Sequence, residues 1–151
     1  MVKEIKSTNE KEKIARLILE DLEEWFGIEE YREDYIKKSK DSPFFVSLNK
    51  QEYQGFLMLK ETSKSCVEIS CMGVLREFHH QGIGKKLVSI AEEYAKSLGY
   101  SYMQVKTVAF GHYASYDQTN RFYQSVGFEP IEIFPTLWDE NNPCLLYLKY
   151  L

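Results

Sequence analysis

Three rhythms of apolar and polar residues divide the chain. Val2 to Lys6 reads as a short strand, and Ser7-Thr8-Asn9-Glu10 behind it has the S-x-x-E form of a capping box. Ile14, Leu17, Ile18, Leu22, Trp25 and Phe26 follow at helical spacing, with Gly27 as the natural stop. A second, more polar helix is expected from about Glu29 to Lys38, with Lys37-Lys38-Ser39-Lys40 as its solvated face. From Pro43 the period drops to two. Phe44 to Leu48, Tyr53 to Lys60 and Ser65 to Leu75 predict three strands joined by short polar turns, an antiparallel meander. The helical period returns at Ile83, Leu87, Ile90, Ala91, Tyr94, Ala95 and Leu98, closed by Gly99. Tyr100 to Val108 alternates like a strand. Ser115-Tyr116-Asp117-Gln118 reads as another capping box, opening a helix to about Val126 that Gly127 ends. Ile131 to Trp138 and Leu145 to Leu151 complete the pattern as two strands joined through Asp139-Glu140-Asn141-Asn142.

The order of elements, one strand, two helices, three strands, a helix, a strand, a helix and two strands, predicts a mixed α/β (α+β) sheet with helices on both faces. At 151 residues the chain is expected to be a single domain, residues 1–151, with no repeat and no linker. Aromatic residues are 15% of the chain, which excludes disorder as its main state. Nineteen Lys and Arg against 23 Asp and Glu give −4, so a general electrostatic grip on nucleic acid is not expected. Cys66, Cys71 and Cys144 are odd in number and lack C-x-x-C spacing, so neither a disulfide framework nor a zinc ribbon is indicated. His79-His80 with nearby Cys71 has no ligand spacing, and no metal is expected. No apolar run is long enough for a signal peptide or a bilayer span, so the expectation is a cytoplasmic protein without a membrane partner.

The most informative segment runs from Val74 to Leu87 and sets a strand, a short loop and the Gly82-Ile83-Gly84 turn at a helix N-terminus. The first N–H groups of a helix have no internal partner and lie at the positive end of its dipole. Glycines let such a backbone approach a bulky anion closely. Phosphate or pyrophosphate binding follows, with Lys85 and Lys86 adding charge. A dinucleotide fingerprint needs a third glycine where Leu87 stands. A P-loop needs glycine where His79 stands and Ser or Thr at Lys86. On these residues alone, a glycine-relieved loop that binds nothing stays open.

The segment His79-His80-Gln81-Gly82-Ile83-Gly84, with Val74 five residues before it, resembles the pyrophosphate loop [QR]-x-x-G-x-[GA] of the GNAT superfamily of acyl-CoA-dependent N-acetyltransferases. Phe122-Tyr123-Gln124-Ser125-Val126-Gly127-Phe128 is similar to the family's later aromatic-Tyr-x-x-x-Gly-Phe run. The two motifs occur in the family's order, separated by a helix and a strand, and the resemblance is close from Ser65 to Phe128. It departs at His79, which replaces Gln or Arg, and at Tyr116, which replaces an Asn seven residues before the Tyr. The resemblance implies a mainly antiparallel sheet of six or seven strands and acetyl-CoA as co-substrate. It implies donor contacts from Met72, Gly73, Val74, His79, His80, Gln81, Gly82, Ile83, Gly84, Lys85 and Tyr116. The acceptor would be a small-molecule or peptide amine.

Acyl transfer to an amine needs a neutral nucleophile, a stabilised oxyanion and a leaving thiolate. A lysine-like amine is neutral only about once in ~2,500 molecules at pH 7, a handicap near ~4.6 kcal/mol that a general base removes. Glu68 is the candidate base: it lies on the Ser65–Leu75 strand eleven residues before His79, the spacing that the resemblance to histone-acetylating members attaches to this role. It shares a strand face with Ser70 and Met72. Tyr123 is the candidate general acid, since a phenol can protonate a departing thiolate. A β-bulge near Gly73 would free the Val74 N–H as oxyanion donor and let the pantetheine arm pair with the backbone at Met72 and Val74. The last strands could pair across a homodimer. A non-catalytic acyl-CoA-binding or regulatory module on the same fold is the alternative, because a fold does not guarantee chemistry.

Overall fold

The structure, a computed structural model, describes residues 1–151. Seven strands form one sheet in the hydrogen-bonded order β1-β2-β3-β4-β5-β7-β6, mostly antiparallel. The chain divides into two compact units, Met1–Lys60 with Ser70–Tyr94, and Glu61–Ile69 with Ala95–Leu151.

In the first unit, β1 (Val2–Glu4) pairs antiparallel with β2 (Phe44–Asn49), and β2 pairs antiparallel with β3 (Glu52–Glu61). The β2–β3 turn is made by Lys50 and Gln51 at φ 52° and 75°. Two successive positive φ values are what a tight hairpin requires to match strand twist, here without glycine. Helix α1 (Thr8–Asp21) starts as the capping box predicts, with the Ser7 hydroxyl accepting from the Glu10 N–H. Ile14, Ala15, Ile18 and Leu19 are buried on its inner face with Phe44, Val46, Phe56 and Met58 from the strands. Leu17, expected on that stripe, faces solvent.

The predicted single helix to Phe26 is broken. Leu22 leaves helical geometry at φ −107°, ψ 59°, and a separate turn α2 (Glu23–Phe26) follows before α3 (Glu29–Ser39). The cause lies far away in sequence. The Asp21 carbonyl accepts from Arg76 Nε at 3.1 Å, and Trp25 N–H instead bonds the Leu22 carbonyl. A tertiary contact thus replaces the bond that would have continued α1.

Strand β4 (Cys66–Val74) crosses both units, as does α4 (Ile83–Ser97). Gly73, expected to mark a bulge, sits in close packing against Ile18 and Leu22. A Cβ there would lie 2.8 Å from Leu22 Cδ1 and 3.1 Å from Ile18 Cγ2, so a side chain would require these two side chains to shift.

In the second unit, residues Cys66–Ile69 of β4 run parallel to β5 (Tyr102–Val108), ending at the pair Ile69↔Val105. Strand β7 (Asn142–Tyr150) lies antiparallel along β5, and β6 (Glu129–Asp139) pairs antiparallel with β7 as the outer strand. Helix α5 (Ala114–Ser125) begins at Ala114 with Tyr113 as an N-cap that makes no side-chain bond. The expected Ser115 box therefore lies inside the first turn. Its acidic member, Asp117, turns back to accept from the Gly111 N–H at 2.9 Å and holds the loop ahead of the helix. The predicted glycine endings hold: Gly99 and Gly127 adopt φ 90° and 98°, the left-handed geometry that closes α4 and α5.

Candidate active site

Sequence and backbone build the glycine loop together. After Val74 the chain makes one 3₁₀ turn (Arg76–Phe78) before His79. Arg76 anchors this turn, its N–H donating to Asp21 Oδ2 at 2.8 Å and its guanidinium pairing bidentately with the Glu24 carboxylate. That pairing holds the Glu24 carboxyl below its ordinary range. His79 Nε2 lies 2.7 Å from the Val74 carbonyl. A carbonyl only accepts, so this nitrogen carries the proton. The histidine that replaces the family's Gln or Arg thus ties the loop back to the end of β4, and the Trp25 ring meets it edge-on at 6.1 Å.

Beyond His79, His80 and Gly82 take φ 62° and 79°, reversing the chain into α4. A Cβ on Gly82 would meet nothing within 4 Å, so the loop faces open space. The first intrahelical bond is Lys86 N–H to the Gly82 carbonyl. The amides of Ile83, Gly84 and Lys85 precede it and have no carbonyl within the helix to bond. Lys85 and Lys86 are exposed beside them. This arrangement is what an anionic diphosphate needs: outward amides, a helix dipole and room for bulk. Met72, Gly73, Val74 and residues 79–85 are gathered in the first unit.

In the second unit lie Glu68, Tyr116 and Tyr123. Glu68 is 7% exposed, and its Oε1 accepts from Gln104 Nε2 at 2.7 Å and faces Lys106 Nζ at 3.2 Å. Tyr123 is 6% exposed, with the rings of Phe122, Phe128 and Tyr147 at 5.5, 5.8 and 5.9 Å. Glu68 is registered with Gln104, whereas Val105 is registered with Tyr147, against which Tyr123 packs. Strand alternation therefore sets Glu68 and Tyr123 on opposite faces of this part of the sheet.

Tyr116 is half-buried, and its carbonyl accepts from Asn120 Nδ2 at 2.8 Å. Asn120 is fully buried: Nδ2 also donates to the Val108 carbonyl at 2.8 Å, and Oδ1 accepts from Tyr147 Oη at 2.7 Å. Sequence reading missed Asn120, Gln104, Lys106 and Tyr147. The one signal in reach was polar Gln104 and Lys106 alternating with apolar Met103 and Val105 along one strand. Burial raises the Cys71 thiol and pushes Cys144 up to about 11, so both are neutral thiols near pH 7. No group of three or more His, Cys, Asp or Glu side chains gathers in a form able to hold a metal.

The family description "Acetyltransferase (GNAT) family" matches residues 11–128. The chain belongs to the GNAT acetyltransferase family. No curated protein matches it significantly. Among solved structures, an IAA acetyltransferase from Bacillus cereus is 21% identical with a TM-score of 0.74, covering 100% of this chain and 99% of that one. A GNAT family acetyltransferase from Elizabethkingia anophelis with acetyl-CoA bound is 20% identical at TM-score 0.68, covering 87% and 89%. The aminoglycoside 6'-N-acetyltransferase from Enterococcus faecium is 15% identical at 0.75, covering 99% and 96%. At these identities the likeness is one of fold. The GNAT match takes in Glu68, the loop, Tyr116 and Tyr123 and stops before β6 and β7.

Proposed function

We propose that this GNAT protein acts as one domain that transfers the acetyl group of acetyl-CoA directly to a primary amine in a ternary complex. The observation that carries the reading is the 79–85 loop: two positive-φ residues, open space at Gly82 and unbonded amides at the start of α4. Amides of Ile83, Gly84 and Lys85 would hold the diphosphate, with His80, Gln81 and Lys85 around it and Tyr116 as a further contact. The backbone at Met72, Gly73 and Val74 would take the pantetheine arm. Acetyl-CoA supplies an activated thioester. The neutral buried thiols of Cys71 and Cys144 are unsuited to a covalent acyl-enzyme.

Glu68 would take the ammonium proton of the acceptor, the Val74 N–H would stabilise the oxyanion, and Tyr123 would return a proton to the thiolate. The acceptor class is a small-molecule or peptide amine, in line with the aminoglycoside named for the Enterococcus faecium protein. Cytoplasmic action belongs to the same reading; no helix is long and apolar enough to cross a membrane. A homodimer would use β6, an outer strand that exposes Ile131, Ile133, Leu137 and Trp138.

Thiol release from acetyl-CoA with spermidine, kanamycin, L-lysine, tryptamine and a peptide with a free N-terminus tests the reading. Turnover on at least one amine, with CoA binding by calorimetry, is expected. The enclosed position of Tyr123 favours the second reading, an acyl-CoA-binding module, and binding without turnover on any amine would select it. Tyr123→Phe should lower kcat by roughly 10²-fold with CoA affinity changed less than about twofold. An unchanged kcat removes Tyr123 from the mechanism.

A further inference from the structure

We propose that Gln104 and Lys106 are positioning residues that commit Glu68 Oε1 to the protein and leave Oε2 for the acceptor's proton. The proposal rests on the reading of Glu68 as the base and adds what orients it. A glutamate carboxylate has three rotatable bonds, and a base must present one lone pair to a proton at hydrogen-bond range. Here that freedom is removed from one side. Gln104 is the direct register partner of Glu68, and its Nε2 lies 2.7 Å from Oε1. The other end of the same amide, Oε1, lies 3.6 Å from Cys66 Sγ. A thiol donates to an oxygen and an ionised carboxylate accepts from N–H, so the two contacts fix which way the amide points. Lys106, two residues along β5 and therefore on the same face, brings Nζ to 3.2 Å from the same carboxylate oxygen.

Both donors thus load Oε1. The buried Cys144 thiol feels the charges of both Lys106 and Glu68, but it is itself neutral and competes for no proton. The opposite face of these strands is apolar, with Val67, Ile69, Met103 and Val105 buried. Along this face Cys66 meets the Gln104 amide, and Gln104 and Lys106 both meet the Glu68 carboxylate.

The test uses the full chain with acetyl-CoA and whichever amine of the panel above turns over fastest. Lys106→Met and Gln104→Met should each lower kcat about 10–100-fold, the scale of a base misplaced by about an ångström, with the Kd for CoA changed less than about twofold. Lys106→Arg should restore most of the rate. In a Glu68→Gln background, Lys106→Met should change kcat less than about twofold, because the group it positions is gone. Retention of full kcat by both Met variants, or an equal loss with and without the Glu68 carboxylate, overturns the proposal. Failure of the underlying reading looks different: Glu68→Gln alone would keep full kcat. Should Lys106→Met not fold, Lys106→Gln, which keeps a donor without the charge, carries the same comparison.

Discussion

Asn120→Leu should cost the protein about 3 kcal/mol and lower Tm by roughly 6–12 °C, measured by differential scanning calorimetry. Leucine keeps the branched shape and the number of side-chain heavy atoms of asparagine, so the chief loss is one of hydrogen bonds. The fully buried Asn120 joins three partners: the Val108 carbonyl at the end of β5, the Tyr116 carbonyl one turn back in α5, and the Tyr147 hydroxyl on β7. The Tyr116 carbonyl lies one turn before Asn120 and so keeps a helical partner. Tyr147, whose phenol burial holds above its ordinary range, also meets Gln124. The Val108 carbonyl loses the bond that joins β5 to the helix. A buried group left without a partner costs about 1–3 kcal/mol, whereas removing both partners can be nearly neutral. Because Tyr147 keeps Gln124 as a partner, adding Tyr147→Phe to Asn120→Leu should recover little of the loss. A Tm drop below about 2 °C in the single variant would show that water or a shifted backbone takes over these bonds.

The same network shows why some features were readable in the sequence and others were not. Ser7 as a cap and the glycine endings at residues 99 and 127 depend on bonds within a few residues, and β2 and β3 are neighbours joined by a two-residue turn, so pattern suffices. The break at Leu22 depends on Arg76, which lies 55 residues from Asp21 and takes both its carboxylate and its carbonyl. Ser115 has the right local spelling for a cap. The helix nevertheless starts two residues earlier, with Tyr113 as its cap, and Asp117 turns back to Gly111. The loop residues of the candidate site were legible because glycine and helix start are local signals. Gln104 and Lys106 were not, because only the parallel register with β4 determines what faces Glu68. Asn120 was hidden for the same reason: its partners include strands on either side of it in sequence.

Glu68→Gln should lower kcat by roughly 10²–10⁴-fold, a barrier increase of about 3–5 kcal/mol, and move the rate optimum to higher pH. The substitution isolates one atom's function. A glutamine carbonyl can take the place of Oε1 and still accept from Gln104 and Lys106, so the local structure and Tm should hardly change. Its amide nitrogen then stands where Oε2 was, and it cannot accept a proton. The acceptor must arrive already neutral, which for a lysine-like amine restores the full penalty of scarce free base at pH 7 and relieves it only as pH rises. CoA affinity should be unaffected, since the loop that would hold the diphosphate lies elsewhere in the chain. Steady-state kinetics across pH, with calorimetric binding of CoA to the same preparation, decide the matter. A kcat within about threefold of the parent would mean that the acceptor loses its proton to another group or to water. Glu68 would then be a residue of the β4–β5 ladder, held by Gln104 and Lys106 for the sake of the sheet.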